Sequence, residues 1–351
     1  MKKLLLGFSK VLAGIVVLLA IIYFLGPTPP TPQLDTSLPA MPSNLLELEK
    51  QIIVSEQSEN NIKPDNEARI VWANPSQKAK TPYAVVYLHG FSASQGEGAP
   101  MHTEFAKRYG CNLYLARLYG HGIKVEDALL DWTAENFIAS AKEAIAVGKQ
   151  LGEKVIVMGT STGCTAAIYL ASQNDNMDAL INYSPNINVA DGNAWLLSKP
   201  WGLQIGRQVV GSDHRYYEPH PGTANMVTNH YRLEAVVALM NLLEHTMTEA
   251  VFQRVTQPFF MGYWYKNEAI QDDVVSVNAM LDMYDQLGTP NNLKRKVAFE
   301  NATNHVLASP LWNDDYERVR QATFEFAEAI LGMPPVPVAE ENEVLEMDAT
   351  Q

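Results

Sequence analysis

Residues 155–158, Val-Ile-Val-Met, are apolar at every position. They run without a spacer through Gly159-Thr160-Ser161-Thr162-Gly163 into the small-residue stretch Cys164-Thr165-Ala166-Ala167. A strand that alternates polar and apolar side chains has one face in water, whereas a strand apolar throughout is buried on both faces. Such a strand demands a sheet covered on both sides, and crossover helices between parallel strands supply that cover. The rest of the chain keeps this rhythm. Short apolar, β-branched or aromatic runs recur at 68–73, 84–88, 112–116, 179–182, 259–264 and 296–299, separated by helix-compatible stretches at 101–109, 132–151, 162–174, 277–287 and 316–330. Gly110 and Gly152 stand where the first two helices should stop. The expected fold class is α/β, with a mostly parallel central sheet flanked by helices. Residues 188–257 break the rhythm and carry Trp195, Trp201, Tyr216 and Tyr217. That interval is too long for a plain loop in a compact domain, so it reads as a helical cap insertion whose aromatic residues are candidates to line an apolar pocket.

The two ends differ from the middle. Leu4 to Gly26 is apolar apart from Ser9 and Lys10, and it follows Met1-Lys2-Lys3. Residues 1–26 therefore read as a membrane anchor or signal segment. No small-x-small cleavage site follows Phe24, which favours an uncleaved anchor over a secreted form. Lys2, Lys3 and Lys10 precede the uninterrupted apolar part, Val11 to Gly26, and the next basic residue is Lys50, which puts the large domain outside the cytoplasm, on the periplasmic side in a bacterium. Residues 27–44, with six prolines between Pro27 and Pro42, are expected to form a stiff, extended spacer above the bilayer. The α/β domain then spans 45–333, and 334–351 is expected to be a frayed acidic tail. The net charge of −13, from 26 basic and 39 acidic residues, argues against nucleic acid as a partner. The two cysteines, Cys111 and Cys164, are too few for a disulfide framework or a zinc site and read as buried free thiols.

The chemistry gathers at Ser161. A Gly-x-Ser-x-Gly turn between strand and helix suits a nucleophile held on a sharp, strained bend, with Gly159 and Gly163 avoiding collisions. The same position also suits a helix N-cap. A serine hydroxyl needs a base oriented by a carboxylate. His305, in a loop after the run 296–299, falls at the sheet edge where such a base is wanted, and Glu268, Asp272 and Asp273 follow the run 259–264. Backbone N–H groups must hold the developing oxyanion. Those of Phe91, after Leu88-His89-Gly90, and of Thr162 are the candidate donors, with His89 read as support for the loop.

Five motifs in order carry a resemblance: Leu88-His89-Gly90-Phe91-Ser92, Leu118-Tyr119-Gly120-His121-Gly122, Gly159 to Gly163, Asp272-Asp273-Val274-Val275-Ser276 and Asn304-His305-Val306. From about Ala68 to Leu331 the chain resembles the α/β-hydrolase superfamily, and within it the capped monoacylglycerol-lipase and serine-aminopeptidase-like group. The resemblance implies an α/β-hydrolase fold and a triad of Ser161, Asp272 and His305, with Asp273 as the spare acid, Asp191 a more distant one and His121 supporting a loop. Thr160 and Tyr119 depart from the residues usual in that group, which leaves the lipid substrate open. The implied activity is hydrolysis of carboxylic esters, lipid-derived ones among them, through an acyl-enzyme, with no metal or organic cofactor. The rival readings are an envelope acyltransferase or aminopeptidase on the same triad, and a catalytically silent, membrane-tethered binding module.

Overall fold

The computed structural model describes residues 2–337, with side chains from Phe8 onward. Strands β1 (Arg69–Val71), β2 (Thr81–Leu88), β3 (Asn112–Leu115), β4 (Gly152–Thr160) and β5 (Ala179–Tyr183) come first. A hairpin of β6 (His214–Tyr216) and β7 (His230–Arg232) follows, then β8 (Phe259–Asn267), β9 (Ile270–Gln271) and β10 (Lys294–Phe299). The main sheet has the order β1-β3-β2-β4-β5-β8-β10, and short β9 folds back on β8. Every pairing along that path is parallel except β1 with β3. All seven runs expected as strands are strands.

The helices are α1 (Lys2–Phe24), α2 (Leu45–Ser58), α3 (Met101–Tyr109), α4 (Ala134–Leu151), α5 (Thr162–Ala171), α6 (Gly202–Val210), α7 (Leu233–Thr246), α8 (Glu249–Phe252), α9 (Val277–Gln286) and α10 (Tyr316–Ala329). Alternate residues of each strand feed two separate cores. Ala84, Val86, Leu88, Val155, Val157 and Leu180 pack with α2, α4, α5, α7 and α9. Val85, Tyr87, Ile156, Met158 and Ile181 pack with α3 and α10. This accounts for the unbroken apolar runs, since neither face of the central strands β2 to β5 meets water over their buried residues. Gly110 ends α3 in the left-handed conformation, with φ +63°. Gly152, expected as a helix stop of the same kind, is instead extended; a Cβ there would lie 2.2 Å from the Ala84 backbone nitrogen of β2.

From β2 the chain passes to one side to make β3, then returns to the other side for β4. The carboxyl ends of β2 and β4 therefore lie side by side at a reversal of strand order, with Leu88 opposite Gly159. Open parallel sheets form their binding crevice at such a point. The insertion between β5 and β8 folds as a 3-10 turn (Ala194–Ser198), α6, the β6–β7 hairpin, α7 and α8. It closes over this edge: the Thr228 N–H donates to the Ser92 carbonyl (2.6 Å) and the Arg232 N–H to that of Ala128 (3.0 Å).

Residues 27–44 do not stand free as the expected spacer. Leu34, Leu38 and Met41 pack against the core, Asp35 pairs with buried Lys142 at 2.6 Å, and the Gln33 N–H donates to Glu135 at 2.9 Å. Asn241 of α7 donates to the Pro30 carbonyl at 2.8 Å. Proline content sets the stiffness of this segment, and the interspersed leucines and methionine dock it. At its start, Trp201 donates from its indole to the Ile22 carbonyl (3.0 Å) and from its backbone to that of Pro27 (2.9 Å). Of the expected anchor, residue 1 and the side chains of 2–7 lie outside the described residues. From Phe8 to Phe24 the side chains of α1 are exposed. Among the described residues no helix is long and apolar enough to cross a membrane. Residues 338–351 of the acidic tail lie outside the described residues; before them, Val336 is fastened to the Arg108 carbonyl (2.9 Å).

If 27–44 is part of the folded domain, replacing Leu34, Leu38 and Met41 together by alanine destabilises it by about 1–3 kcal/mol, as expected for partly buried side chains. The urea midpoint of the purified protein measures this, and an unchanged midpoint would mean that the segment is not docked.

Candidate functional site

At the end of β4 the backbone turns through Ser161 with φ +54° and ψ −119°. A serine in that region carries strain of about 1–3 kcal/mol and stays there only where its surroundings hold it. The Ser161 N–H donates to the Tyr183 carbonyl of β5 at 2.9 Å, and its own carbonyl accepts from Cys164 (3.0 Å) and from Asn186 (3.1 Å). Ser161 occupies the position before the first residue of α5, yet its side chain makes no capping hydrogen bond. That removes the N-cap explanation. A Cβ on Gly163 would lie 2.0 Å from the Leu88 carbonyl oxygen, whereas one on Gly159 meets nothing closer than 3.2 Å. Gly163 is thus the glycine the turn requires, and Gly159 is merely tight.

His305 and Asp272 come together as expected: His305 Nδ1 lies 2.7 Å from Asp272 Oδ2. The other carboxylate oxygen accepts the Val274 and Val275 N–H groups at 2.9 and 3.0 Å, which gives the residues after Asp272 a physical task. Burial alone would push the Asp272 carboxyl up, but the His305 charge and hydrogen bond and the two valine N–H groups together hold it below the usual carboxylate value. Burial alone would likewise lower the imidazole, but the Asp272 charge and hydrogen bond, then the charges of Glu97 and Asp273, raise it above 6.5. His305 Nε2 is buried and has no hydrogen-bond partner, and Nε2 and the Ser161 hydroxyl are not bonded to each other. One strand end ties their segments together. Tyr183 accepts from Ser161, and the next residue, Ser184, donates from its hydroxyl to the His305 carbonyl at 2.8 Å.

The loop after β2 runs alongside the turn. Among the described residues the Phe91 N–H donates to no protein acceptor, and neither does that of Thr162, the first residue of α5, whose N–H lies outside the helical ladder. Two neutral histidines shape this loop. His89 receives the Leu118 N–H on Nε2 (3.0 Å), which leaves Nδ1 to donate to the Gly90 carbonyl (2.9 Å). His121 receives the Ser92 N–H on Nε2 (3.0 Å) and donates from Nδ1 to the Tyr119 carbonyl (2.8 Å). Burial pushes both down, His121 to about 4, so neither carries charge at neutral pH. Because the Gly90 carbonyl and the Phe91 N–H share one peptide plane, His89 fixes the direction of that N–H.

The remaining candidates fall outside this arrangement. Asp273 is exposed and reaches His305 only through its charge. Glu268 bonds the Tyr265 hydroxyl, and Asp191 caps its own turn through the Asn193 N–H. Of the four aromatics expected as pocket candidates, only Tyr217 comes to the loop after β2, its hydroxyl 3.2 Å from Ser92 Oγ; Tyr231, also in the insertion, packs edge-on against the Phe91 ring at 5.4 Å. Trp201 is occupied with Ile22 and Pro27, and Tyr216 is exposed and bonded to Glu218. Trp195 borders a groove of about 460 Å³ with Ile187, Met240, Met247 and Met283. Sequence reasoning missed Glu97, whose buried side chain accepts the Gly90 N–H. No motif marks it; its nearness to glycines in the loop after β2 is the only trace.

No family model matches the chain. A stretch of 117 residues, 33% of the chain, is 28% identical to the thermostable monoacylglycerol lipase of Bacillus sp. (strain H-257). The match spans 46% of that relative, so the chain matches less than half the length of this curated protein. Among solved structures, one of the metagenome-derived lipolytic enzymes LipS and LipT superposes with a TM-score of 0.61 at 17% identity, covering 76% of this chain and 98% of the other. The monoacylglycerol lipase of Paleococcus ferrophilus superposes with a TM-score of 0.53 at 15% identity, covering 71% and 95%. Est1E of Butyrivibrio proteoclasticus, bound to ferulic acid, gives 0.52 at 17%, covering 78% and 100%. The chain has the α/β-hydrolase fold, with its likeness to the monoacylglycerol-lipase-like members of that fold.

Proposed function

We propose that this chain is a serine hydrolase of carboxylic esters, with Ser161 as nucleophile, His305 as general base and Asp272 as the group that orients the imidazole. One observation carries the reading. His305, bonded to a buried carboxylate at 2.7 Å on Nδ1, keeps Nε2 buried and without a partner, on a segment tied to the same strand end as Ser161. The names of the relatives, lipases and esterases, point the same way.

In this reading the Ser161 hydroxyl adds to the ester carbonyl while His305 Nε2 takes its proton. The Phe91 and Thr162 N–H groups hold the resulting oxyanion. The imidazolium, stabilised by Asp272, returns the proton to the departing alcohol, leaving an acyl group on Ser161. Water then repeats the addition from the other side of the cycle, with His305 again as base, and releases the acid. These steps call on no metal or organic cofactor. The substrate is a small ester, lipid-derived ones among the candidates, as the lipase and esterase names of the relatives suggest. Residues 1–26 serve as a membrane anchor with the domain outside the cytoplasm. The exposed apolar side chains of α1, from Phe8 and Val11 to Phe24, suit lipid better than water.

A fluorophosphonate probe labels the folded wild-type protein, and Ser161→Ala abolishes both labelling and ester hydrolysis; a folded wild type that takes no label would favour the silent binding module. Asp272→Asn lowers kcat by about 10⁴-fold with little change in KM, the size known for loss of the orienting carboxylate.

Because His305 must be neutral to accept a proton and its pKa is raised above 6.5, kcat/KM falls as pH drops through that raised value. The Asp272→Asn variant, lacking the carboxylate that does most to raise it, shows its residual acid limb at lower pH. An acid limb unaltered by that substitution would remove His305 from the role of base. For the anchor, the full chain stays with the membrane pellet after alkaline carbonate washing, and release without detergent would contradict it.

A further inference from the structure

Glu97 lies in the 3-10 turn Gln95–Gly98 between β2 and α3 and is 3% exposed. One carboxylate oxygen accepts the Gly90 N–H and lies 3.5 Å from the Tyr87 hydroxyl. That hydroxyl shares a 2.9 Å hydrogen bond with Thr160, the residue before Ser161. A Cβ on Gly90 would stand 3.2 Å from Ser161 Cβ and 3.3 and 3.4 Å from the two Glu97 oxygens. The carboxyl and the serine thus face each other across one bare Cα. No lysine or arginine pairs with Glu97 among the described residues; the titratable groups around it are Tyr87 on β2, Cys164 on α5, Tyr217 from the cap and His305.

We propose that Glu97 is a positioning residue of the site, anchoring the Gly90 N–H behind the Ser161 turn and placing a second negative charge, besides Asp272, within electrostatic reach of His305. The inference rests on the reading of Ser161, Asp272 and His305 given above. Gly90 is held from both ends, its N–H by Glu97 and its carbonyl by His89. The peptide that presents the Phe91 N–H therefore cannot swing when charge develops on a bound carbonyl. Burial pushes the Glu97 carboxyl up to about 7, opposed by the Gly90 N–H and by the His305 charge. Glu97 and His305 carry opposite charges when both are ionised, so each favours the ionised form of the other. When ionised, Glu97 favours the imidazolium, as do Asp272 and Asp273.

The test compares the full chain with two variants in hydrolysis of a p-nitrophenyl ester across pH. Glu97→Gln keeps an oxygen for Gly90 but removes the charge, so the acid limb of kcat/KM moves to lower pH, a change that a purely structural side chain would not cause. Glu97→Leu removes the acceptor as well, and kcat falls about tenfold or more while KM holds within about twofold, as for a slackened oxyanion donor. An acid limb of Glu97→Gln superimposable on that of the wild type overturns the proposal. Should the variants not fold, Glu97→Asp decides: it keeps the charge but draws it back from the Gly90 N–H, so kcat falls while the acid limb stays near that of the wild type, and a kcat equal to that of the wild type overturns the proposal. Failure of the underlying reading is told apart by Ser161→Ala, which would then retain activity.

Discussion

The arrangement depends on one close approach, that of Gly163 to the carbonyl of Leu88. With no side chain at 163, the first turn of α5 settles directly onto the end of β2, and Ser161 is squeezed into the left-handed region, at φ +54°. Hydrogen bonds from its N–H to Tyr183 and to its carbonyl from Asn186 keep it there. The strain, of about 1–3 kcal/mol, is small against the apolar burial on both faces of the sheet. Adjacent strand ends then set Gly90, after β2, directly against Ser161, after β4, without any long-range adjustment.

Electrostatics are organised around His305 in the same economical way. A buried imidazole beside a buried carboxylate is tolerable because Asp272 receives three hydrogen bonds, from His305, Val274 and Val275. Glu97 lacks such company, having the Gly90 N–H and a distant tyrosine hydroxyl. Its proton is therefore loosely poised near neutrality, whereas that of Asp272 is absent. His89 and His121, also buried, are neutral and act only through hydrogen bonds, each with one nitrogen accepting and one donating. Five ionisable side chains within one edge of the sheet thus serve different ends because their partners differ.

Much of this was legible in the residues. Strands buried on both faces betray themselves by unbroken apolar runs, and the Ser161, Asp272 and His305 segments each follow such a run. The turn after β2 was legible through Gly90 and its flanking histidine. Helix α2 was not, because it buries little beyond Leu48 and Ile52; nor was the β6–β7 hairpin, three residues a strand. The docking of 27–44 was hidden because prolines dominate its composition while a few apolar side chains decide its position. Glu97 was hidden for a different reason. Its significance comes from standing opposite Ser161 across Gly90, a proximity between residues 64 positions apart that no local pattern encodes.

The most direct test of the central claim is a crystal structure of the protein after reaction with a fluorophosphonate. The phosphorus should be bonded to Ser161 Oγ, its oxygen between the Phe91 and Thr162 N–H groups, and His305 Nε2 within hydrogen-bonding distance of the serine oxygen. A phosphonyl group on another residue, or one on Ser161 whose oxygen points away from both N–H groups, would contradict the account.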